Sequence, residues 1–567
     1  MSRLEAKKSP LFISDPLTED AFCQSLSLLS KILKSCYGPT GRLKQLHNGV
    51  GGYVCTTSQS SAVLSRLSVS HPVLSVLTAS VQNHVSRFSD CGLFTAILCC
   101  SLLENLKSLN IAACTVIKIN KSLLSLCIDY LKSEACGCRV PVDFSSVETL
   151  LCLVRSILTS KPACMLNKTE IDHLSVLILK AFMFTVPCHV ETKAVLGKCI
   201  IVPMKGRRVT DSKVLPGLLI ETSEIRQIEP LAVKRTLSNL IKVALFCVSM
   251  SGDCFNHEEG TVTVHHGISL EKLELNQLLN LGKQLINDEV GLVVCQKVIH
   301  PSLKQYLREN QVVAVDRAGL SVMEPLSRMT GSKPIATTQL SASCYGSLKD
   351  VCIESFASKR FVHLIPSDTV VCSLVLCNRS ETAWDELKRA TETAEHVLQL
   401  TIREPLALLG GGCTETHLAS YIRHKTCSLS TSSFEAIGCS RTQYQLVADA
   451  FCRSLESVAR SLNHDDGEIL TDTVYGHCWF VPSASNWSDL VSKCGCGISS
   501  NAENLTWRLL QGQCASPVIE DCPKEPAVKA AELLTLDCFA AKCSGLQVAL
   551  ETANLILDLS YVIEDQN

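Results

Sequence analysis

The sequence predicts an α+β multidomain protein whose two ends are helical and whose middle is α/β. The chain has 567 residues, and single hydrophobic cores stop growing at about 250–300 residues, so more than one domain is expected. Apolar residues recur at helical spacing near both ends, while short β-branched runs alternate with helical stretches between them. A helical domain built from both ends, with other domains inserted between its halves, accounts for this order.

The N-terminal part predicts three helices. The first carries an apolar stripe at helical spacing, formed by Phe22, Leu26, Leu29, Leu33 and Cys36. A second helix starts at Pro72, because proline suits the first helical turn. A third follows Asp90 and continues through Leu106.

The middle and C-terminal parts differ in periodicity. Strands are predicted at 243–248, 261–264, 292–295 and 312–315, with a helix over 273–286. This alternation is typical of a parallel or mixed sheet with covering helices. Helical stripes return over 446–462 and 546–557. The stretches 425–442 and 482–530, which are rich in small polar residues, predict exposed loops.

Composition and charge exclude several classes of protein. The apolar fraction is 46% and the formal net charge is −2, with no basic block, so a nucleic-acid partner is not expected. No apolar run follows the charged residues 1–10, which argues against a secretory signal. The longest apolar stretch, 93–103, is shorter than the roughly 20 residues that span a bilayer. We therefore expect a globular cytoplasmic protein without a membrane span.

Cysteine is abundant, with 32 residues. Because nothing in the sequence directs export, we interpret these residues as reduced, buried thiols rather than as disulfides. Two Cys-x-Cys pairs occur, Cys136/Cys138 and Cys494/Cys496. Neither has a second Cys or His pair at zinc-ligand spacing in the neighbouring sequence, so a structural zinc site is not predicted.

Two glycine-containing segments are candidates for ligand binding. Residues 37–43, Tyr-Gly-Pro-Thr-Gly-Arg-Leu, permit a tight turn against a ligand or a strand, or only end a helix. Gly410, Gly411 and Gly412 precede a predicted helix, where close backbone approach and exposed N–H donors suit a nucleotide. A purely structural glycine turn is the alternative.

Together these segments resemble the group II chaperonins, the TCP-1 or cytosolic chaperonin family of ATP-driven folding machines. The resemblance runs nearly end to end. Residues 37–41 look like the family's Leu-Gly-Pro-Lys-Gly loop, and 410–412 look like its Gly-Gly-Gly-Ala motif. Further similar segments are His71-Pro72, 153–161, 295–299, 329–331, Asp385-Glu386 with Arg389, and the last helix and strand.

The resemblance implies a group II chaperonin-like architecture, with a helical equatorial domain, a small intermediate domain and an α/β apical domain. It assigns 1–150 and 396–567 to the equatorial domain, 151–205 and 346–395 to the intermediate domain, and 206–345 to the apical domain. Between Gly267 and Leu273 the apical segment looks shortened where the family carries its lid protrusion. Encapsulation of a substrate is therefore not expected.

Within the family, the sequence resembles the divergent vertebrate branch of McKusick–Kaufman/Bardet–Biedl syndrome chaperonin-like proteins. This resemblance implies a place at the centrosome and basal body, and a role in cilium biogenesis. The implied partners are other chaperonin-like Bardet–Biedl proteins and cytosolic chaperonin subunits. The implied clients are subunits of the BBSome, a ciliary trafficking coat.

The nucleotide site departs from the family pattern. The resemblance assigns nucleotide binding to Gly38, Pro39, Asp90, Gly92, Gly410, Gly411 and Gly412, with Mg²⁺ on Asp90. However, Ser89-Asp90-Cys91-Gly92-Leu93 stands where active members read Gly-Asp-Gly-Thr-Thr, and Ser58-Gln59-Ser60 stands in place of Asn-Asp-Gly. As an alternative, Asp90 serves only as the N-cap of the helix that follows.

A third departure removes the expected base. Thr393 stands seventeen residues before the triple glycine, where the family has an aspartate that orients the attacking water. A hydroxyl cannot act as a carboxylate base near neutral pH, and general-base assistance is worth about 10²–10⁴-fold. Glu392 is adjacent but is expected to project in another direction. We therefore assign no catalytic residue and expect ATP and Mg²⁺ to bind weakly or not at all.

The function implied by these observations is that of a chaperonin-like assembly factor, which binds unfolded clients without a productive ATP cycle. Two alternatives stay open. One is an active, ATP-hydrolysing ring chaperonin, favoured by Asp90 and the triple glycine. The other is a structural component of the centrosome that inherited the fold.

Overall fold

The structure is a computed structural model with two compact units. One unit is formed by Met1–Val176 with Arg379–Asn567, and the other by Leu177–Asn378. The structure describes residues 11–47, 54–67, 69, 71–187, 196–221, 239–251, 270–336, 340–356, 358–368, 370–465, 467–472, 475–481, 494–497, 507–510 and 534–564. The first unit is built from both ends of the chain, and the second is inserted between its two parts.

The terminal unit is mainly helical. Its helices before the inserted unit are α1 (Asp20–Lys34), α2 (Ser60–Arg66), α3 (Pro72–Phe88), α4 (Gly92–Leu106), α5 (Ala113–Lys132), α6 (Val147–Thr159) and α7 (Lys168–Thr185), the last of which continues past the unit boundary. The helices that follow the inserted unit are α11 (Glu381–Arg403), α12 (Cys413–Ser428), α13 (Thr431–Ile437), α14 (Arg441–Arg460) and α15 (Phe539–Leu557).

Helix α4 forms the centre of this unit. Its sequence is apolar on all sides and nearly all of its residues are buried. A helix that is hydrophobic all round is stable only when other helices surround it, and α1, α3, α14 and α15 pack against α4. Because α14 and α15 come from the C-terminal part, the two ends of the chain share one core.

Short sheets complete the terminal unit. Strands β1 (Leu11–Ser14) and β20 (Tyr561–Glu564) pair antiparallel, and β2 (Lys44–His47) pairs with β3 (Val54–Thr57). Strand β15 (Leu406–Leu409) lies between β4 (Arg139–Pro141) and β19 (Leu536–Cys538). Strand β16 (Glu468–Asp472) lies between β17 (Cys478–Val481) and β18 (Trp507–Leu509).

The inserted unit is α/β. Its helices are α8 (Leu270–Asn287), α9 (Pro301–Glu309) and α10 (Leu320–Thr330). One sheet has the order β10-β9-β8-β11, from β8 (Ile241–Phe246), β9 (Val290–Cys295), β10 (Val313–Val315) and β11 (Gly346–Leu348). Strands β8, β9 and β10 run parallel, and β11 is antiparallel to β8. This is the mixed sheet that the alternating β-branched runs predict.

Two further sheets lie in the inserted unit. The first has the order β12-β13-β7 and consists of β12 (Asp350–Phe356), β13 (Lys359–Ile365) and β7 (Leu218–Glu221). The second has the order β5-β14-β6 and consists of β5 (Lys198–Lys205), β14 (Val371–Asn378) and β6 (Lys213–Pro216). Every residue of β14 is buried, as is typical of a central strand covered on both faces.

Some predictions differ from the structure or fall outside it. The predicted loop 425–442 is largely helical, because Ser430 and Ser440 are the N-caps of α13 and α14 and Gln443 completes a capping box with Ser440. Most of the predicted loop 482–530, the predicted strand 261–264 and the start of the shortened segment after Gly267 lie outside the described residues. The division into equatorial, intermediate and apical segments stays a prediction. Among the helices that the structure describes, none combines the length and apolar character of a bilayer-crossing segment.

Candidate functional site

A cavity of about 700 Å³ lies in the terminal unit, within the size range of small-molecule sites. Turns and helix ends from both parts of the chain line it. They include 37–40, 59–61, 89–94, 411–412 and 462–465, together with Thr393 and Lys542. The lining contains four acidic side chains and four basic ones, so the cavity combines both charges.

The α3–α4 turn forms one wall. Ser89 and Cys91 have φ angles of 60° and 59°, in the left-handed region that side chains other than glycine rarely adopt. Ser89 Oγ is 2.8 Å from His396 Nδ1, and His84 Nε2 is 3.2 Å from the carbonyl oxygen of Asp90. These neighbours support a backbone conformation that glycines would adopt at lower cost.

Asp90 stands beside the start of α4. The N-cap of α4 is Cys91, and no described side chain caps the helix. The alternative that Asp90 acts as the N-cap is therefore wrong. Cys91 Sγ lies 3.8 Å from Oδ2 of its carboxylate. Gly92 is required for packing, because a Cβ there would lie 2.4 Å from both Ser60 Oγ and Val85 Cγ2.

The triple glycine forms the turn from β15 into α12. Gly411 and Gly412 have φ angles of +63° and +84°, and both line the cavity. A Cβ on Gly411 would lie 2.1 Å from the carbonyl oxygen of Gly495, so the two backbones are in direct contact. Gly410 is not among the lining residues; a Cβ there would meet Thr535 and Asp537. The N-termini of α4 and α12 both lie at the cavity, where their dipoles favour an anion.

The 38–41 turn forms another wall. Gly38 has φ +84°, and a Cβ on it would lie 2.6 Å from Leu462 Cδ2. His464 Nε2 is 2.7 Å from the carbonyl oxygen of Tyr37, which ties the turn to the α14–β16 loop. Gly38 and Pro39 both line the cavity, so the turn that follows α1 is also part of the cavity wall.

Thr393 lies on the face of α11 that lines the cavity. It is buried, and its hydroxyl donates to the carbonyl oxygen of Ser89 at 3.4 Å. Glu392 is exposed and pairs with Lys388 across one helical turn, at 3.8 Å. The carboxylate next in sequence therefore points away from the cavity.

An ion triad that the sequence patterns do not indicate borders the cavity, and two of its three side chains, Lys542 and Glu415, are buried. Lys542 on α15 bonds Glu415 on α12 and Asp537 on β19, with Nζ 2.8 Å from Asp537 Oδ2. Burial alone would lower the pKa of Lys542, but Asp537 and Glu415 outweigh it and raise that pKa well above its ordinary value. A lysine on the otherwise apolar face of the last helix is the one sequence signal that could have revealed it.

Glu386 anchors a second loop. Its carboxylate is almost fully buried and accepts hydrogen bonds from Thr57 Oγ1 at 2.8 Å and Ser58 N at 3.1 Å. Gln59 donates to the carbonyl oxygen of Glu386 at 3.0 Å. Helix α11 thus fixes the loop that carries Gln59, Ser60 and Ser61 to the cavity.

Comparison with known proteins identifies the family. The TCP-1/cpn60 chaperonin family matches residues 29–567. The chain belongs to the TCP-1/cpn60 chaperonin family. This chaperonin is 60% identical over its full length to the molecular chaperone MKKS of Homo sapiens and 58% identical to that of Mus musculus, each covered completely. It is 22% identical to thermosome subunit alpha of Archaeoglobus fulgidus, over 78% of each chain. The resemblance and the α+β chaperonin fold that the motifs predict are thereby confirmed.

The site of this chaperonin brings together most of the predicted residues. Gly38, Pro39, Asp90, Gly92, Gly411, Gly412 and Thr393 all line the cavity, while Gly410 supports the turn from behind. Asp90 provides a carboxylate at the start of α4, with the hydroxyls of Ser60 and Ser61 also on the lining. These oxygen donors fit Mg²⁺, which favours oxygen ligands and phosphate partners. Asp90 would hold such an ion.

Proposed function

We propose that this chaperonin is an assembly factor that works without efficient ATP hydrolysis. It holds unfolded client subunits and acts with other chaperonin-like Bardet–Biedl proteins and cytosolic chaperonin subunits. Its clients are subunits of the BBSome, and it works in the cytoplasm at the centrosome and basal body. Sequence identity of 60% and 58%, over the full length, to two proteins named molecular chaperone supports the chaperone part of this proposal.

Thr393 is the observation that carries the proposal. A threonine hydroxyl is too weak a base to take a proton from an attacking water near neutral pH, and this one donates its own proton to the Ser89 carbonyl. The neighbouring carboxylate of Glu392 is directed to solvent and paired with Lys388. Cys91 and Leu93 add side chains on the wall where the family has glycine and threonine. These changes support a chain that binds ATP and Mg²⁺ weakly or not at all and that has lost turnover.

Steady-state ATP turnover of the purified chain tests this proposal. We expect no turnover above that of an Asp90→Ala variant of equal thermal stability. The combination of Ser89→Gly, Cys91→Gly and Thr393→Asp is expected to gain turnover by about 10²-fold or more, the range of general-base assistance. Wild-type turnover that Asp90→Ala abolishes would show that the native cavity hydrolyses ATP, and the proposal would fail.

Exposed apolar side chains on β1 and β20 support the partner part of the proposal. Phe12 lies directly opposite Ile563 in this antiparallel pair, and Tyr561 is on the same strand as Ile563. Their side chains are 64%, 66% and 63% exposed. Within the residues that the structure describes, this sheet has two strands and no further strand on either edge, and such a surface can accept an added strand. We assign it to association with partner subunits.

One alternative has specific support. An active ring chaperonin is favoured by Asp90, whose carboxylate does not cap α4, and by the two helix N-termini at the cavity. Thermal unfolding with ATP, with and without Mg²⁺, separates the two functions, because a ligand that binds only the folded state stabilises it. Strong stabilisation that requires Mg²⁺ and Asp90, together with closed rings in sedimentation, would favour the alternative.

A further inference from the structure

Three cysteines and one histidine from distant parts of the sequence converge at one point beneath the triple glycine. They are Cys413, His477, Cys494 and Cys496, and all four are buried. One ligand atom from each lies within 4.8 Å of the others. Cys413 begins α12, His477 precedes β17, and the two remaining cysteines flank Gly495 in the short described segment 494–497.

Three of the separations between these ligand atoms are close to the edges of a tetrahedron around a metal ion. Bonds of about 2.3 Å to sulfur and about 2.0 Å to nitrogen give edges of about 3.8 Å between sulfurs and about 3.6 Å between sulfur and nitrogen. Cys413 Sγ is 3.6 Å from Cys494 Sγ, and His477 Nδ1 is 3.8 Å from the sulfurs of Cys494 and Cys496. The sulfurs of Cys494 and Cys496 are closer, at 2.7 Å, and an ion between them would move them apart.

We propose that Cys413, His477, Cys494 and Cys496 form a structural zinc site. Three soft thiolates and one imidazole in tetrahedral arrangement are the ligands that Zn²⁺ prefers. Four protein ligands close the coordination sphere, which is typical of structural rather than catalytic zinc. On binding, the three thiols release their protons to solvent and the imidazole binds through its lone pair.

The surrounding residues orient the histidine. Asp472 accepts hydrogen bonds from the backbone N–H groups of Gly476 at 3.2 Å and His477 at 2.9 Å, which fixes the turn. The other ring nitrogen of His477, Nε2, is 3.9 Å from Cys138 Sγ. Nδ1 is therefore the nitrogen that faces the three sulfurs. Partners beyond the ligands that hold a metal-binding histidine in place are a regular feature of zinc sites.

Nearby candidates for the same role are already engaged. Cys478 Sγ is 3.8 Å from Cys413 Sγ but donates to the carbonyl oxygen of Gly411 at 2.9 Å. His417 has Nε2 2.7 Å from Tyr130 Oη, and Nδ1 contacts the carbonyl oxygen of Tyr475. These contacts leave the four named residues as the ligand set.

The position of this site predicts what the ion does. The Gly495 amide donates to the Cys478 carbonyl at 2.8 Å, and the Gly495 backbone touches Gly411. Thr535 N donates to the Cys496 carbonyl, also at 2.8 Å. Zinc would fasten segment 494–497 to the start of α12, and Gly495 is part of the cavity wall. The site thus stabilises the cavity whether or not ATP is hydrolysed there.

Metal analysis of the purified full-length chain tests the proposal. We expect elemental analysis by mass spectrometry to find about one zinc ion per chain. Cys496→Ser and His477→Gln should each lose it, while Cys100→Ser, which changes a buried cysteine in α4, should retain it. Chelation of the wild type should increase hydrogen exchange in segment 494–497. Folded wild-type protein without bound metal would overturn the proposal.

Two measurements on the wild type keep the test informative if the ligand variants do not fold. Cobalt(II) in place of zinc should give the absorption of a tetrahedral thiolate complex, with thiolate-to-metal charge transfer. Alkylation without reductant followed by peptide mapping should find Cys494 and Cys496 as thiols after metal removal. A disulfide between these two residues, or an octahedral cobalt spectrum, would show that the cluster has another role.

Discussion

At the level of single residues, the α3–α4 turn keeps a left-handed backbone at Ser89 and Cys91 without glycine. Each such residue costs about 1–2 kcal/mol relative to an ordinary backbone conformation. The hydrogen bonds from His396 and His84 to this turn offset part of that cost. The two imidazoles therefore help to hold this wall of the cavity in place.

Acidification is predicted to weaken the folded state through His84 and His396. Burial lowers the pKa of both imidazoles from the ordinary value of 6.5. Below about pH 6.5 the unfolded chain therefore binds more protons than the folded chain. The free energy of unfolding has its full value above that pH and decreases as the pH falls below it. Urea unfolding between about pH 7.5 and about pH 5.5 measures how steeply the free energy of unfolding changes with pH. His396→Gln should make the slope shallower; an unchanged slope would contradict this assignment.

Sequence patterns locate single residues unevenly. The glycines and Asp90 that line the cavity belong to short motifs that resemble those of the chaperonin family, so sequence comparison alone can pick them out. The zinc ligands are missed, since Cys413 lies 81 residues and His477 lies 17 residues from Cys494. Spacing rules recognise ligands that are close in sequence, and here only the fold brings them together.

At the level of elements, the Lys542 triad joins α12, β19 and α15 at the edge of the cavity. Lys542 also lies over the ring of Phe94 in α4, 4.1 Å from the centroid. This cation on α15 therefore contacts three other elements, which come from both parts of the chain. Breaking a buried ion network by removing one partner leaves uncompensated charge, which is far more costly than losing a surface pair.

Lys542→Met is predicted to destabilise the terminal unit by about 3–5 kcal/mol, because Glu415 and Asp537 lose their cation. Denaturant unfolding measures the change. Lys388→Met is the matched control, since its pair with Glu392 has side chains 44% and 52% exposed and should contribute less than about 1 kcal/mol. Equal effects of the two variants would show that the triad is not a stabilising network.

Helices and strands are predicted correctly from the sequence where the apolar periodicity is strong. The prediction fails where short polar residues are common both in loops and at helix N-termini. The stripe from Phe22 to Cys36 gives α1 nearly to its bounds, and Pro72 marks the start of α3. The stretch 425–442 is misread as a loop, because serine is common both in loops and at N-caps. Only the positions of its residues relative to a helix distinguish the two.

At the level of the whole molecule, the two ends of the chain are in contact at several places. They share the core around α4, and they pair as β1 and β20. The sequence predicts the first meeting from helical stripes at both ends. The second depends on a four-residue pair of strands, for which periodicity carries too little information.

Ile563→Asp is predicted to abolish association with partner subunits while leaving the fold unchanged. The side chain is 66% exposed in this chain, but an added apolar strand would strip water from the new carboxylate without offering it a partner. Co-purification of cytosolic chaperonin subunits measures the loss. Leu555→Asp, at another exposed apolar residue of the terminal unit, should retain them. Undiminished capture by Ile563→Asp would assign partner binding to a different surface.

Helix α11 has a mechanical consequence for this cavity. It is 23 residues long, so as one rod it spans about 34 Å. Near the start of α11, Glu386 accepts a hydrogen bond from the loop before α2. Further along the helix, Thr393 and His396 contact Ser89 in the α3–α4 turn. A tilt of this rod displaces both walls in concert. Movement of α11 would therefore change the width of the cavity without any cleavage of ATP.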